Sequence, residues 1–142
     1  MNDKEELLYE MEGLLRRVFR QLRQGVNSIL EKEISRNEFF ILKSLHCDGT
    51  LKSSDLSKKL DVSASHITSM ADSLVGKGLI ERSRAESDRR IIHIGITDAG
   101  TKKLMELEKK KTDYLFERFG SLNQEELQTF VHLFKKIDKD FE

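Results

Sequence analysis

The feature that most limits what this chain can become is a change of rhythm in its apolar residues. Leu7, Leu8, Met11, Leu14, Leu15, Val18, Leu22, Val26, Ile29 and Leu30 recur at three and four residues, with Arg16, Arg17, Arg20 and Arg23 mostly between them. That spacing gathers the apolar side chains on one side of an α-helix, roughly residues 4–31. Similar spacing returns along much of the chain. Only after Gly78 does it shorten to near two, at Leu79 and Ile80 and then Ile92, Ile94 and Ile96, the period of a strand with one covered face. A mainly α fold with one small β-hairpin in its middle follows.

The punctuation between these stretches is as informative as the stretches themselves. Ser35-Arg36-Asn37-Glu38 has the form of a capping box and opens a second helix, which carries Phe39, Phe40, Ile41, Leu42 and Leu45 to about His46 and stops at Asp48-Gly49. Two short helices are expected at about 53–60 and 63–77, with Ser53 or Ser54 capping the first and Ser63 the second. Their inward positions are Leu56, Leu60, Val62, Ile67, Met70, Ala71 and Leu74, and Gly76 and Gly78 end the second. Strands at 79–84 and 90–97 flank the polar tip Ala85-Glu86-Ser87-Asp88-Arg89. Thr97 or Asp98 caps a long helix, about 98–119, and Asn123 with Glu126 caps a last one, lined by Leu127, Phe130, Val131, Phe134, Ile137 and Phe141.

Length and composition set the outer bounds. With 142 residues and no linker-like tract, the chain is read as a single domain spanning 1–142. The first helix is longer than a small domain can cover unaided, so a partner chain is expected over its stripe. No apolar run is long enough to span a membrane, and the start MNDKEELLYE lacks the form of a signal peptide. A cytoplasmic protein is expected. One cysteine, Cys47, fits a reducing compartment; it follows an apolar run and reads as a buried structural thiol, with redox sensing as the alternative.

Net charge is zero, 25 basic against 25 acidic residues. Residues 52–90 nevertheless hold 8 basic and 6 acidic, while the segments before and after hold 8 against 9 and 9 against 10. The small positive excess coincides with the pair of short helices. There Ser57, Asp61 and Ile67 have the spacing of a helix-turn-helix: a small residue where the helices cross, a turn residue that tolerates the left-handed region, and a buried contact on the second helix. The second helix presents Ala64, Ser65, His66, Thr68 and Ser69 near its N-terminus, short groups able to reach base edges and phosphates. Taken alone, such a face also suits an ordinary solvated helix.

The hairpin separates the two readings. Asp88-Arg89-Arg90, followed by Ile91-Ile92-His93-Ile94-Gly95-Ile96-Thr97, resembles the wing of the MarR family of transcriptional regulators. Leu79-Ile80-Glu81-Arg82 before it and Asp98-Ala99-Gly100 after it are similar to that family's surroundings, and the likeness extends over practically the whole chain. The resemblance implies a winged helix-turn-helix over 35–97, with dimerisation helices at 4–31 and 98–141. It implies a homodimer on double-stranded DNA at an inverted-repeat operator, more often a repressor than an activator, with a small-molecule effector possible in the cleft between dimer region and DNA-binding lobe. Arg90 would enter the minor groove, oriented by Asp88, while Arg84 and Arg89 contact phosphates.

The candidate DNA-binding set is therefore Ser53, Ser63, Ser65, His66, Thr68, Ser69, Arg84, Asp88, Arg89 and Arg90. Lysine and arginine are scarce on the second helix, so readout is expected to lean on the wing and on DNA shape. His46, His66, His93 and His132 are scattered, and no glycine-rich phosphate loop is present; neither a metal, a cofactor nor an enzymatic activity is expected.

Overall fold

The computed structural model describes residues 2–30 and 32–141. Helix α1 (Asp3–Leu30) is followed by α2 (Arg36–Asp48), the two-residue strand β1 (Leu51–Lys52), α3 (Ser53–Leu60), α4 (Ala64–Gly76), β2 (Ile80–Arg84), β3 (Ile92–Ile96), α5 (Asp98–Arg118) and α6 (Gln124–Asp140). The helical order and the hairpin agree with the sequence; position 31, the expected end of the first helix, lies outside the described residues. Two compact units result, one up to Lys111 and one from Thr112 onward.

The first unit is built around α2, α3, α4 and the sheet. Leu30, Ile34, Phe39, Ile41, Leu42, Leu45, Leu56, Ile67, Leu74, Ile80, Ile94, Leu104 and Leu107 are fully or almost fully buried in one cluster. Each such side chain contributes about 1.5–3 kcal/mol by leaving water. All the expected inward positions of the two short helices lie in this cluster or, for Leu60 and Val62, pack partly buried against it.

The sheet has three strands, not the two expected. Its order is β1-β3-β2, antiparallel throughout, with Leu51 opposite Ile94 and Lys52 opposite His93 on one side, and Ile80 opposite Ile96 and Arg82 opposite Ile94 on the other. The hairpin strands are also shorter at their ends than the 79–84 and 90–97 expected. Strand β1 brings a second correction. Because Lys52 is held extended by its pairing, α3 begins directly from the strand, with Lys52 at the cap position and no side-chain cap bond. Neither Ser53 nor Ser54 caps it.

Elsewhere the caps match the sequence. Ser35 accepts from the Glu38 amide while Glu38 returns a bond to the Ser35 amide, and Asn123 with Glu126 does the same for α6. Thr97, rather than Asp98, starts α5, its Oγ1 accepting from the Gly100 amide at 3.0 Å. The same hydroxyl donates to the Gly78 carbonyl at 2.7 Å, and the Thr97 amide donates to the Leu79 carbonyl at 3.1 Å. Gly100 packs against this junction so closely that a Cβ there would stand 2.0 Å from the Leu79 carbonyl oxygen. One corner thus fastens the end of α4, the foot of the hairpin and the start of α5.

The second unit is the end of α5 and all of α6. None of the described α6 side chains is buried, and Phe130, Val131, Leu133, Phe134 and Ile137 expose between 43% and 52% of their surface. In the first unit, α1 buries only Leu30, leaving Leu7, Leu8, Met11 and Leu14 exposed.

Candidate nucleic-acid interface

The turn between α3 and α4 is closed by side chain and backbone together. Asp61 occupies the left-handed region at φ 53°, ψ 51°, as a short polar residue can. Ser57, the small residue at the crossing, has a second use: its Oγ donates to the Val62 carbonyl at 2.6 Å, while the Val62 amide donates to the Ser57 carbonyl at 3.1 Å. The pair of bonds fixes where α4 departs.

At the start of α4, Ser63 accepts from the His66 amide at 3.1 Å, and its hydroxyl lies 3.2 Å from that of Ser65. Ser63, Ser65, His66, Thr68 and Ser69 are all exposed, whereas Ile67 and Met70 turn into the core. Thr68 Oγ1 donates to the Ala64 carbonyl, leaving its oxygen as an acceptor toward solvent. Ser53, at the head of α3, is half-buried.

Residues 85–91 form the hairpin's tip, closed by the Ala85 amide on the Ile91 carbonyl and the Ile91 amide on the Asp88 carbonyl. Asp88 receives Arg90 in a two-pronged pair, Nε on Oδ1 and Nη2 on Oδ2, each 3.1 Å, and takes the Arg90 backbone amide at 3.0 Å. These bonds from Arg90 hold the Asp88 carboxyl below the usual aspartate range. The Arg90 side chain nonetheless stays 91% exposed. Arg84 Nη1 donates to the Arg89 carbonyl at 2.6 Å, so Arg84 braces the tip as well as adding charge to it. Farther down, Arg82 on β2 pairs with Asp72 on α4 at 2.6 Å, tying the hairpin to the helix.

The candidate residues thus fall into two exposed groups, the first turns of α4 and the hairpin tip, both carried by one packed unit. Cys47 does not belong with them, and it is exposed rather than buried, a correction to the expectation. The apolar run before it covers only one side of α2, and position 47 falls on the other side, past Leu45. Local spacing gives no sign of the Asp72–Arg82 pair, whose members lie ten residues apart, and it shows Thr97 only as a helix cap, not as the link back to Gly78 and Leu79.

Comparison with known proteins decides the family. A family model described as "MarR family" matches residues 34–92. An HTH-type transcriptional regulator of Bacillus subtilis (strain 168), YpoP, itself uncharacterized, is 49% identical over 139 residues, covering 98% of this chain and 99% of its own. The chain belongs to the MarR family. A MarR family protein from Bacillus stearothermophilus superposes with a TM-score of 0.83 at 27% identity, over 99% of this chain and 98% of that one. A mutant MarR from E. coli complexed with operator DNA superposes with a TM-score of 0.68 at 26% identity, over 92% and 97%. This MarR-family chain is a winged-helix, DNA-binding transcriptional regulator, and no helix among its described residues is long and apolar enough to cross a membrane.

Proposed function

We propose that the protein acts in the cytoplasm as a homodimeric repressor, with α4 entering the major groove of an inverted-repeat operator and the hairpin tip lying in the adjacent minor groove. The observation that carries this reading is the Asp88–Arg90 pair. It holds an almost fully exposed guanidinium in a set orientation at the end of a hairpin braced against α4. A narrow minor groove concentrates negative potential, and arginine's planar, weakly hydrated cation suits it. Ser63, Ser65, His66, Thr68 and Ser69 then serve base edges and phosphates, with Ser53 at the head of α3 beside the backbone, and Arg84 and Arg89 engage phosphates flanking the wing.

Exposed apolar stripes on α1 and on α6 support the second copy, whose twofold axis would bring two α4 helices to grooves about one helical turn apart. For the effector, a cleft beside α1 and α2 offers Phe19, Phe39 and Phe40 together with Arg36 and Lys111. Arg36 already stacks on Phe40, and Lys111 lies over Phe39. That chemistry suits a small aromatic anion.

Gel-shift binding to the chain's own upstream region tests the reading, with Arg90→Ala as the comparison. The wild type should retard the fragment. The variant should bind every site more weakly, and its plot of log affinity against log salt should flatten by about 1.8, one counterion for each of the dimer's two Arg90 side chains at about 0.9 apiece. A helical scaffold protein would retard nothing.

A further inference from the structure

The core cluster is apolar, and the charged residue that shares its burial is Glu38, 8% exposed. A carboxylate taken out of water is costly unless it is well bonded. Helix capping does not require that burial: Asn123 and Glu126 form the same reciprocal box at the head of α6, in the open. Something other than the cap keeps Glu38 inside.

Its two oxygens divide the work. Oε1 accepts from the Ser35 amide at 3.2 Å, completing the cap. Oε2 reaches across to α4, where it accepts from Ser73 Oγ at 3.1 Å and stands 3.5 Å from Lys77 Nζ. Ser73 and Lys77 are one turn apart, on the last turn of α4 and its C-cap. Lys77 Nζ also donates to the Glu33 carbonyl at 3.1 Å, and the Glu33 carboxylate is held by Lys103 of α5 at 3.2 Å. The rear of α4 is therefore gripped by directional, charge-assisted bonds, whereas Ile67, Met70, Ala71 and Leu74 hold its flank through apolar contacts that specify little about angle.

We propose that Glu38 is a positioning residue for DNA recognition, which through Ser73 and Lys77 sets the angle at which α4 offers its first turn to the groove. The proposal rests on α4 being the groove-binding helix. The lever is long. Thirteen residues at about 1.5 Å each make a rod of about 20 Å, so a tilt of roughly 10° about the gripped end carries the other through about 3 Å. Base-edge hydrogen bonds survive errors of only about half an ångström. Phosphate contacts made by long, flexible side chains tolerate more, so a loosened grip should cost recognition of sequence before it costs attraction to DNA.

Binding is measured to two duplexes of equal length: one carrying the site that the wild type selects from a randomised pool, the other its scrambled version. Glu38→Gln retains a capping-box side chain but gives up the charge facing Lys77, and Lys77→Met removes the cation. Each should weaken binding to the selected duplex roughly three- to thirtyfold, leaving the scrambled duplex and the salt dependence as in the wild type. The two together should do no more than Lys77→Met alone, because that substitution already breaks the linkage that Glu38→Gln weakens. The proposal is overturned if selected-site affinity is unchanged, or if both duplexes weaken equally. It is overturned too if the melting temperature falls with the selectivity ratio intact, or if Lys77→Met lowers the salt slope by about 1.8, the mark of a phosphate contact in each of the two chains. A wild type that selects no site from the pool would instead remove the reading of α4 itself.

Discussion

Asp88 shows how much one carboxylate can organise. It takes two guanidinium nitrogens and one amide from Arg90, and its carboxyl is held below the ordinary aspartate range as a result. A group lowered in this way adds order that is complete above the unfolded aspartate value of about 3.9 and fades as pH falls through the lower folded value. The Arg90 side-chain resonances should therefore stay fixed from neutrality down into the pH range where free aspartate titrates, then shift as the pair opens. Following Arg90 Nε by NMR across that range checks it, and motion of the signal already at neutral pH would contradict the pairing. Of the residues that matter here, the sequence showed those whose significance is local, such as the Asp88-Arg89-Arg90 tip and Asp61 in its turn. It could not show Glu38 as more than a cap, because Ser73 lies 35 positions away, and it misplaced Cys47, because a single apolar run does not say which side of its helix the next residue takes.

At the level of elements, the helices were legible because their apolar spacing repeats over many turns, and the capping boxes at Ser35 and Asn123 marked two of their starts. Strand β1 was not. Two residues carry no alternation to read, and Leu51-Lys52 is a strand only because Ile94 and His93 lie beside it. The same pairing displaced the expected serine cap of α3. The corner around Thr97 is likewise a product of the fold, and it makes a sharp demand on Gly100. A methyl group there would collide with backbone rather than with a side chain able to turn away. Gly100→Ala should destabilise the protein by an amount at or above the upper end of the usual overpacking range, about 1–3 kcal/mol, read as a lower midpoint in urea. At Gly76, where an added Cβ meets nothing, alanine should be tolerated.

For the molecule as a whole, the unsatisfied surfaces are the guide. Apolar side chains of α1 and of α6 stand half in water, more than a lone soluble chain normally carries. Light scattering on the purified protein should return the mass of two chains, and Leu14→Asp combined with Val131→Asp should shift it toward one. Separate chains would each reach a single half-site, so operator affinity should fall by on the order of a hundredfold or more. The corner at Thr97 has a mechanical meaning for such an assembly. One threonine is at once the last link of the hairpin's return strand and the bolt on which α5 begins. A turn of that shaft would therefore be felt first at the root of the arm, as an oar's motion begins at the rowlock.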